Sequence, residues 1–173
     1  VPVDETLRLE GTVKVHGTHV DVHRKAGELV VQSRNYIITF KNDQYGFVDF
    51  VEKNKSWFEA ALDFLGDGKV ISGEWAGGNI QSGVAITGMP KTFFFFNKEL
   101  AHLSCPVLRI FYVGDIKTIT ESFHVSELDK LEQTLLQYTE EVDKVCPWGA
   151  HLNPNNPVTI GEGWVWTVEG VNT

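Results

Sequence analysis

Lys14 stands in the run Leu9-Glu10-Gly11-Thr12-Val13-Lys14-Val15-His16-Gly17-Thr18, one lysine among apolar β-formers. An exposed lysine is protonated and attacks poorly. One held in an apolar site, or beside other cations, can give up its proton and become a nucleophile. Gly17, three residues on, lets the backbone come close to a ligand. Arg34, in Ser33-Arg34-Asn35-Tyr36, has a planar fork that suits a phosphate or a ribose oxygen. Glu74 lies before Ala76-Gly77-Gly78, where a carboxylate can accept both hydrogens of a ribose diol.

These segments resemble, in order, the motifs of the covalent nucleotidyltransferases, in the form used by ATP-dependent RNA ligases of the RNA ligase 2 type. Lys14-Val15-His16-Gly17-Thr18 is similar to motif I, whose lysine attacks the α-phosphate of ATP and carries AMP as a phosphoramidate. Ser33 to Tyr36 resembles the second motif, whose arginine sits by the nucleotide. Ile71-Ser72-Gly73-Glu74-Trp75-Ala76-Gly77-Gly78 resembles the segment whose glutamate holds the ribose. Phe93-Phe94-Phe95-Phe96-Asn97 occupies the place of motif III, where a ring stacks on adenine, and Glu162-Gly163-Trp164-Val165 resembles motif IV. The resemblance spans Leu9 to Val168.

It implies Lys14 as nucleophile, Arg34 and Glu74 at the nucleotide, and Glu162 as a metal ligand, directly or through water. Magnesium (or manganese) suits a site of few carboxylates plus waters and phosphates. His16 lies within motif I and is expected to reach the phosphate. The base is expected to be read by backbone groups near Val13, close to Gly17. Alternation puts Phe94 and Phe96 on one face, and Phe93 and Phe95 on the other. The family places its stacking ring just before an acidic or amide residue, here Asn97. That makes Phe96 the expected adenine platform and Phe94 the second choice. The plain alternative is a strand buried on both faces, which holds for at least two of the four.

The resemblance implies ATP and a divalent metal as cofactors, and RNA ends as partners. The expected reaction joins an RNA 3′-OH to a 5′-phosphate through self-adenylation and AMP transfer. His16, where DNA ligases and capping guanylyltransferases carry aspartate, argues for RNA ligase. A DNA ligase or capping-enzyme core, or a non-catalytic nucleotide- or RNA-binding module, are the alternatives. Two departures stand out. His19 replaces an asparagine common in the family. Motif V, with its two lysines, is absent, and the last basic residue is Lys144. Residues 1–173 are therefore expected to be a nucleotidyltransferase domain cut before motif V, with a missing C-terminal segment or domain.

His19, Asp21 and His23 share one strand face, opposite Val20 and Val22, and read as a solvated polar face. Gly66-Asp67-Gly68-Lys69 lacks the spacing of a phosphate loop.

The elements that must position these residues are mixed strands and a few helices, without β-α alternation. That pattern argues an α+β fold with largely antiparallel sheets. The resemblance implies two such sheets, flanked by helices, with the nucleotide in a cleft between them. Strands are expected from Leu7 to Val22 around Lys14, and over 28–33, 69–74, 91–97, 107–113 and 159–168. Phe47, Phe50, Val51, Phe58, Leu62 and Leu65 recur at helical spacing and predict one or two helices ending at Gly66. Ser126 with Asp129 predicts the start of a helix striped by Leu128, Leu131, Leu135, Tyr138, Val142 and Val145, and ended by Pro147.

The 173 residues suffice for one domain with a real core, and 42% hydrophobic with 22% charged content is that of a globular chain. A net charge of −8 excludes nucleic-acid binding through bulk positive potential. No apolar run has membrane-spanning length, and Val1-Pro2-Val3-Asp4 reads as a trimmed or processed start. Cys105 and Cys146 fit a reducing compartment, cytoplasmic or nuclear, and lack zinc-site spacing.

Overall fold

The computed structural model describes residues 6–169, so the reading of Val1 to Asp4 lies outside the described residues. The chain forms two compact units. The first takes residues 6–16, 83–86 and 114–169, and the second residues 17–82 and 87–113, of those described.

In the first unit, β1 (Thr6–Val13) is the central strand of a three-stranded antiparallel sheet. β8 (Thr118–His124) lies on one side of it and β9 (Trp164–Glu169) on the other. Leu9, Gly11 and Val13 alternate inward on β1 and are buried. Gly11 is required, because a Cβ there would lie 2.6 Å from the Trp166 ring of the paired strand. Helix α3 (Leu128–Lys144) lies against these strands: Tyr138 O accepts from Trp164 Nε1 at 3.0 Å, and the Tyr138 ring lies 5.8 Å from Trp166.

Two sequence expectations here need correction. The turn before α3 is capped by His124, whose ring accepts from the Ser126 amide, so Ser126 is not the cap. Pro147 opens a helix instead of ending one. Val145 is already extended, and α4 (Pro147–Leu152) has Pro147 in its first turn, where its missing N–H costs nothing.

The second unit is a six-stranded sheet with strand order β4-β3-β2-β5-β6-β7. Its strands are β2 (Thr18–Lys25), β3 (Glu28–Ser33), β4 (Ile37–Ile38), β5 (Val70–Ala76), β6 (Thr92–Phe95) and β7 (Ile110–Tyr112). All pairs are antiparallel except β6 with β7. The 107–113 strand therefore begins later than expected. Pro106–Leu108 forms a 3-10 turn, and Arg109 follows with φ +57°.

Helices α1 (Phe47–Lys53) and α2 (Lys55–Leu65) cover one face of this sheet. Phe47 lies 5.2 Å from Trp75 and 5.3 Å from Phe93, Phe58 lies 5.6 Å from Phe93, and Trp57 lies 5.4 Å from Phe95. Asp43 closes the N-terminus of α1, accepting from the Val48 amide at 2.8 Å and the Asp49 amide at 3.1 Å. The two sheets and their helices are those of an α+β fold, as expected.

Phe95 is fully buried. Phe95→Ala should cost about 3–5 kcal/mol in urea unfolding. Phe96→Ala, on an exposed ring, should stay within about 0.5 kcal/mol of wild type.

Candidate functional site

The first cluster is built by the pairing of β1 with β9. Val13 lies opposite Trp164, and the Lys14 amide donates to Gly163 O at 2.9 Å. That bond sets the end of β1 beside Glu162. Gly161 is forced by contact, because a Cβ there would lie 2.6 Å from Val142 and 2.9 Å from Cys146. Glu162 Oε1 is then 2.8 Å from His16 Nδ1 and 3.8 Å from Lys14 Nζ, so one carboxylate oxygen serves both side chains. Behind the three polar heads lies a void of about 10 Å³ walled by Val15, Ile86, Cys146 and Trp148. It has room for roughly one water.

Burial pushes the Cys146 thiol up, with hydrogen bonds involving the Gly149 and Trp148 backbone pulling the other way. Cys146 is therefore a wall residue and not a second nucleophile.

The surroundings of Lys14 differ from the expectation. Val13 and Val15 point inward, and alternation turns Lys14 outward between them, leaving its side chain 52% exposed. Its ion pair among the described residues is with the Glu162 carboxylate. Val13 itself is a core side chain.

The second cluster belongs to the six-stranded sheet. Pairing of β2 with β5 places His19 opposite Glu74 and Thr18 opposite Trp75. The Gly17 amide donates to Glu74 Oε2 at 3.1 Å. No other residue fits at this point: a Cβ on Gly17 would lie 2.3 Å from Trp75 O. Arg34 sits in the turn between β3 and β4, closed by the Ser33 amide on Tyr36 O at 2.9 Å. Gly17, His19, Arg34, Asn35, Tyr36 and Glu74 line a pocket of about 350 Å³, the size of a small-ligand site.

Phe96 follows the last residue of β6, 42% exposed, with its ring 6.1 Å from that of His19. Asn97 fixes the strand end, accepting from the Ser72 amide at 3.0 Å and donating to Val70 O at 2.9 Å. The second choice for the platform is overturned: Phe94 is fully buried, its ring 6.0 Å from Phe111. Three of the four phenylalanines are thus core, as the alternative reading held.

The solvated reading of His19 and His23 also fails. His19 is a half-buried pocket wall with Nε2 3.0 Å from Asp21 Oδ1, and half-buried His23 has its Nδ1 covered, with no hydrogen-bond partner among the described residues. The signal for His19 was the register: directly after motif I, it pairs with Glu74. Among the described residues no group of three or more His, Cys, Asp or Glu side chains is placed to hold a metal, so Glu162 stands as a single carboxylate.

An RNA ligase family model matches residues 8–169, nearly all of the chain. The chain belongs to the RNA ligase family. Among solved structures it is similar to Naegleria gruberi RNA ligase with PPi, at TM-score 0.59 and 21% identity, covering 93% of this chain and 46% of that one. It is also similar to a mutant of that ligase with ATP and Mn, at TM-score 0.59, 20% identity and coverage of 93% and 46%. A further mutant, with AMP and Mn, matches at TM-score 0.58, 19% identity and coverage of 94% and 46%. The likeness establishes the fold, and the chain spans about half the length of these ligases. No curated protein matches it. Among the described residues, no helix is long and apolar enough to cross a membrane.

Gly17→Ala tests the second cluster. Either β2 or β5 must shift, so stability should fall by about 1–3 kcal/mol in thermal or urea unfolding. An unchanged midpoint would show that the close approach is not needed.

Proposed function

We propose that residues 1–173 act as the nucleotidyltransferase domain of an ATP-dependent RNA ligase. The carrying observation is the meeting of Lys14, His16 and Glu162 on one carboxylate oxygen, in a chain of the RNA ligase family. Lys14 Nζ supplies its lone pair to the α-phosphorus of ATP. The bond from that phosphorus to the bridging oxygen breaks, pyrophosphate leaves, and the nitrogen loses a proton, so that AMP remains on Lys14. The adenylyl group then passes to an RNA 5′-phosphate. A 3′-OH displaces AMP and closes the phosphodiester. Such transfers depend on positioning and charge neutralisation more than on acid–base chemistry.

Glu74, anchored by the Gly17 amide, is the ribose acceptor in this reading, and Arg34 faces phosphate or ribose oxygens from the same pocket. Phe96 is the exposed ring available to stack on adenine, and the Val13 backbone reads the base. His16 holds Glu162 and reaches toward the phosphate from the same position. Glu162 is one carboxylate with partly exposed oxygens, a donor set that fits Mg²⁺ or Mn²⁺ completed by water and phosphate. The metal, when bound, neutralises developing charge on the phosphates. Both cysteines are free thiols, which supports an intracellular setting, cytoplasmic or nuclear.

A non-catalytic nucleotide- or RNA-binding module is the second reading. One observation favours it: Lys14 has a carboxylate for its neighbour. Intact-mass measurement after incubation with ATP and Mg²⁺ decides between them. The first reading expects slow addition of one AMP, abolished by Lys14→Ala. No addition, or undiminished addition to Lys14→Ala, removes Lys14 as the nucleophile. Phe96→Ala should weaken ATP binding by about 1–3 kcal/mol with little loss of stability. Unchanged ATP affinity in that variant would reject the stacking role.

A further inference from the structure

Three aromatic rings stand exposed along the segment that leaves the nucleotide pocket. Tyr36 is 47% exposed, Phe40 65% and Tyr45 42%. Each is presented by a backbone that is itself held. Tyr36 lies in the closed turn after β3. Phe40 opens a 3-10 turn fixed by Asn42, whose Oδ1 accepts from the Thr39 amide at 2.6 Å and from Thr39 Oγ1 at 3.0 Å. Tyr45 adopts φ +61°, a region unfavourable for a bulky residue, and its carbonyl accepts from Trp75 Nε1 at 2.9 Å and Lys91 Nζ at 2.8 Å. Three rings exposed within ten residues of sequence offer a surface that a partner could cover.

The charges of the same segment say what kind of partner. Arg34 and Lys41 make no ion pair among the described residues, whereas Lys53 on nearby α1 is paired with Asp49 at 2.8 Å. Asp43, the one acid between Ser33 and Gly46, has both oxygens on the amides of α1. Two unpaired cations interleaved with exposed rings form the pattern that grips single-stranded nucleic acid: phosphates on the cations, bases stacked on the rings.

We infer that Tyr36, Phe40 and Tyr45, with Arg34 and Lys41, form a stacking platform for single-stranded RNA leading to the nucleotide pocket. The inference rests on the proposed ligase function for its choice of RNA, but the platform binds without ATP. Binding here is local, so it does not require the chain as a whole to be basic.

The test is fluorescence anisotropy of a short, labelled, 5′-phosphorylated single-stranded RNA on the 173-residue chain without ATP. Intact-mass adenylation is measured on the same variants. Phe40→Ala and Tyr45→Ala should each weaken RNA binding about tenfold, the middle of the range for base–aromatic stacking. Phe40→Leu, which keeps apolar bulk without the flat ring, should lose nearly as much. Lys41→Gln should make the dependence of log affinity on log salt shallower by about 0.7, the value for one phosphate contact on a single strand. Phe64→Ala, on a 58% exposed ring of α2 outside the segment, should bind as wild type.

Wild type without saturable RNA binding overturns the inference. So does unchanged binding by Phe40→Ala, or an equal loss in Phe64→Ala. If Phe40→Ala leaves RNA affinity intact and abolishes a concentration-dependent dimer in sedimentation, the surface is a protein contact and the platform is likewise rejected. Phe40, Tyr45 and Lys41 lie outside the nucleotide pocket, so their variants should adenylate Lys14 as wild type does. Loss of RNA binding with adenylation kept identifies the platform alone. Absence of adenylation in every chain, with the RNA pattern as expected, sinks the adenylation reading and leaves the platform standing.

Discussion

The close approach of β2 to β5 is the constraint from which the second cluster follows. At Gly17 the two backbones come so near that a single carbon would strike Trp75 O. The same approach brings the Gly17 amide to Glu74, fixing that carboxylate by one of its oxygens. Once the register is set, alternation does the rest. Val20, Val22, Ile71 and Trp75 are buried, with Trp75 packed against α1, while His19, Asp21, Ser72 and Glu74 share the other face. The polar face is therefore a consequence of the hydrophobic one, because a one-residue slip would exchange them.

In the other unit the equivalent constraint is a backbone hydrogen bond, Lys14 to Gly163. It joins two segments far apart in sequence and makes the lysine and the glutamate neighbours, whatever their side chains do. Gly161 keeps Glu162 close because nothing larger fits against Val142 and Cys146. Among the described residues, Lys14 is the only lysine or arginine ion-paired with Glu162. A phosphate arriving there meets a carboxylate already shared by His16 and Lys14. A divalent metal held by Glu162 would offset the repulsion between that carboxylate and a phosphate.

Elements with strong apolar periodicity were legible in the sequence. The strand over 28–33 has the expected bounds, and the helices before Gly66 divide at Asn54, within the one-or-two that spacing allowed. Motif order brought Lys14 to Glu162, and Gly17 and Arg34 to the pocket of Glu74. The failures share a cause: they depended on neighbours that no local pattern reveals. β8 was not read as a strand because only Ile119 of Thr118–His124 is buried, and its remaining side chains carry no apolar alternation. Ser126 has a good capping sequence, but the ring of His124 reached its amide first. Phe94 and Phe96 share a face by alternation, yet β7 covers Phe94 and ends short of Phe96. His19 looked solvated because its partners, Asp21 and Glu74, are a strand-face neighbour and a cross-strand neighbour, visible only once the pairing is known.

The net charge of −8 is a poor guide to what this surface binds. Much of it sits in identifiable places. Helix α3 alone carries Asp129, Glu132, Glu140, Glu141 and Asp143 against Lys130 and Lys144. Glu59 and Asp63 are engaged with Arg24, and Asp43 with the start of α1. At physiological ionic strength, exposed charges more than about 8 Å apart are largely screened from one another. A ligand therefore responds to the charges within that distance and not to the total. Around Tyr36 and Phe40 those of the segment itself are Arg34 and Lys41, neither ion-paired among the described residues. An acidic chain can in this way present a local surface suited to phosphate. The acids elsewhere still slow the approach of a polyanion at low salt, where the screening length grows.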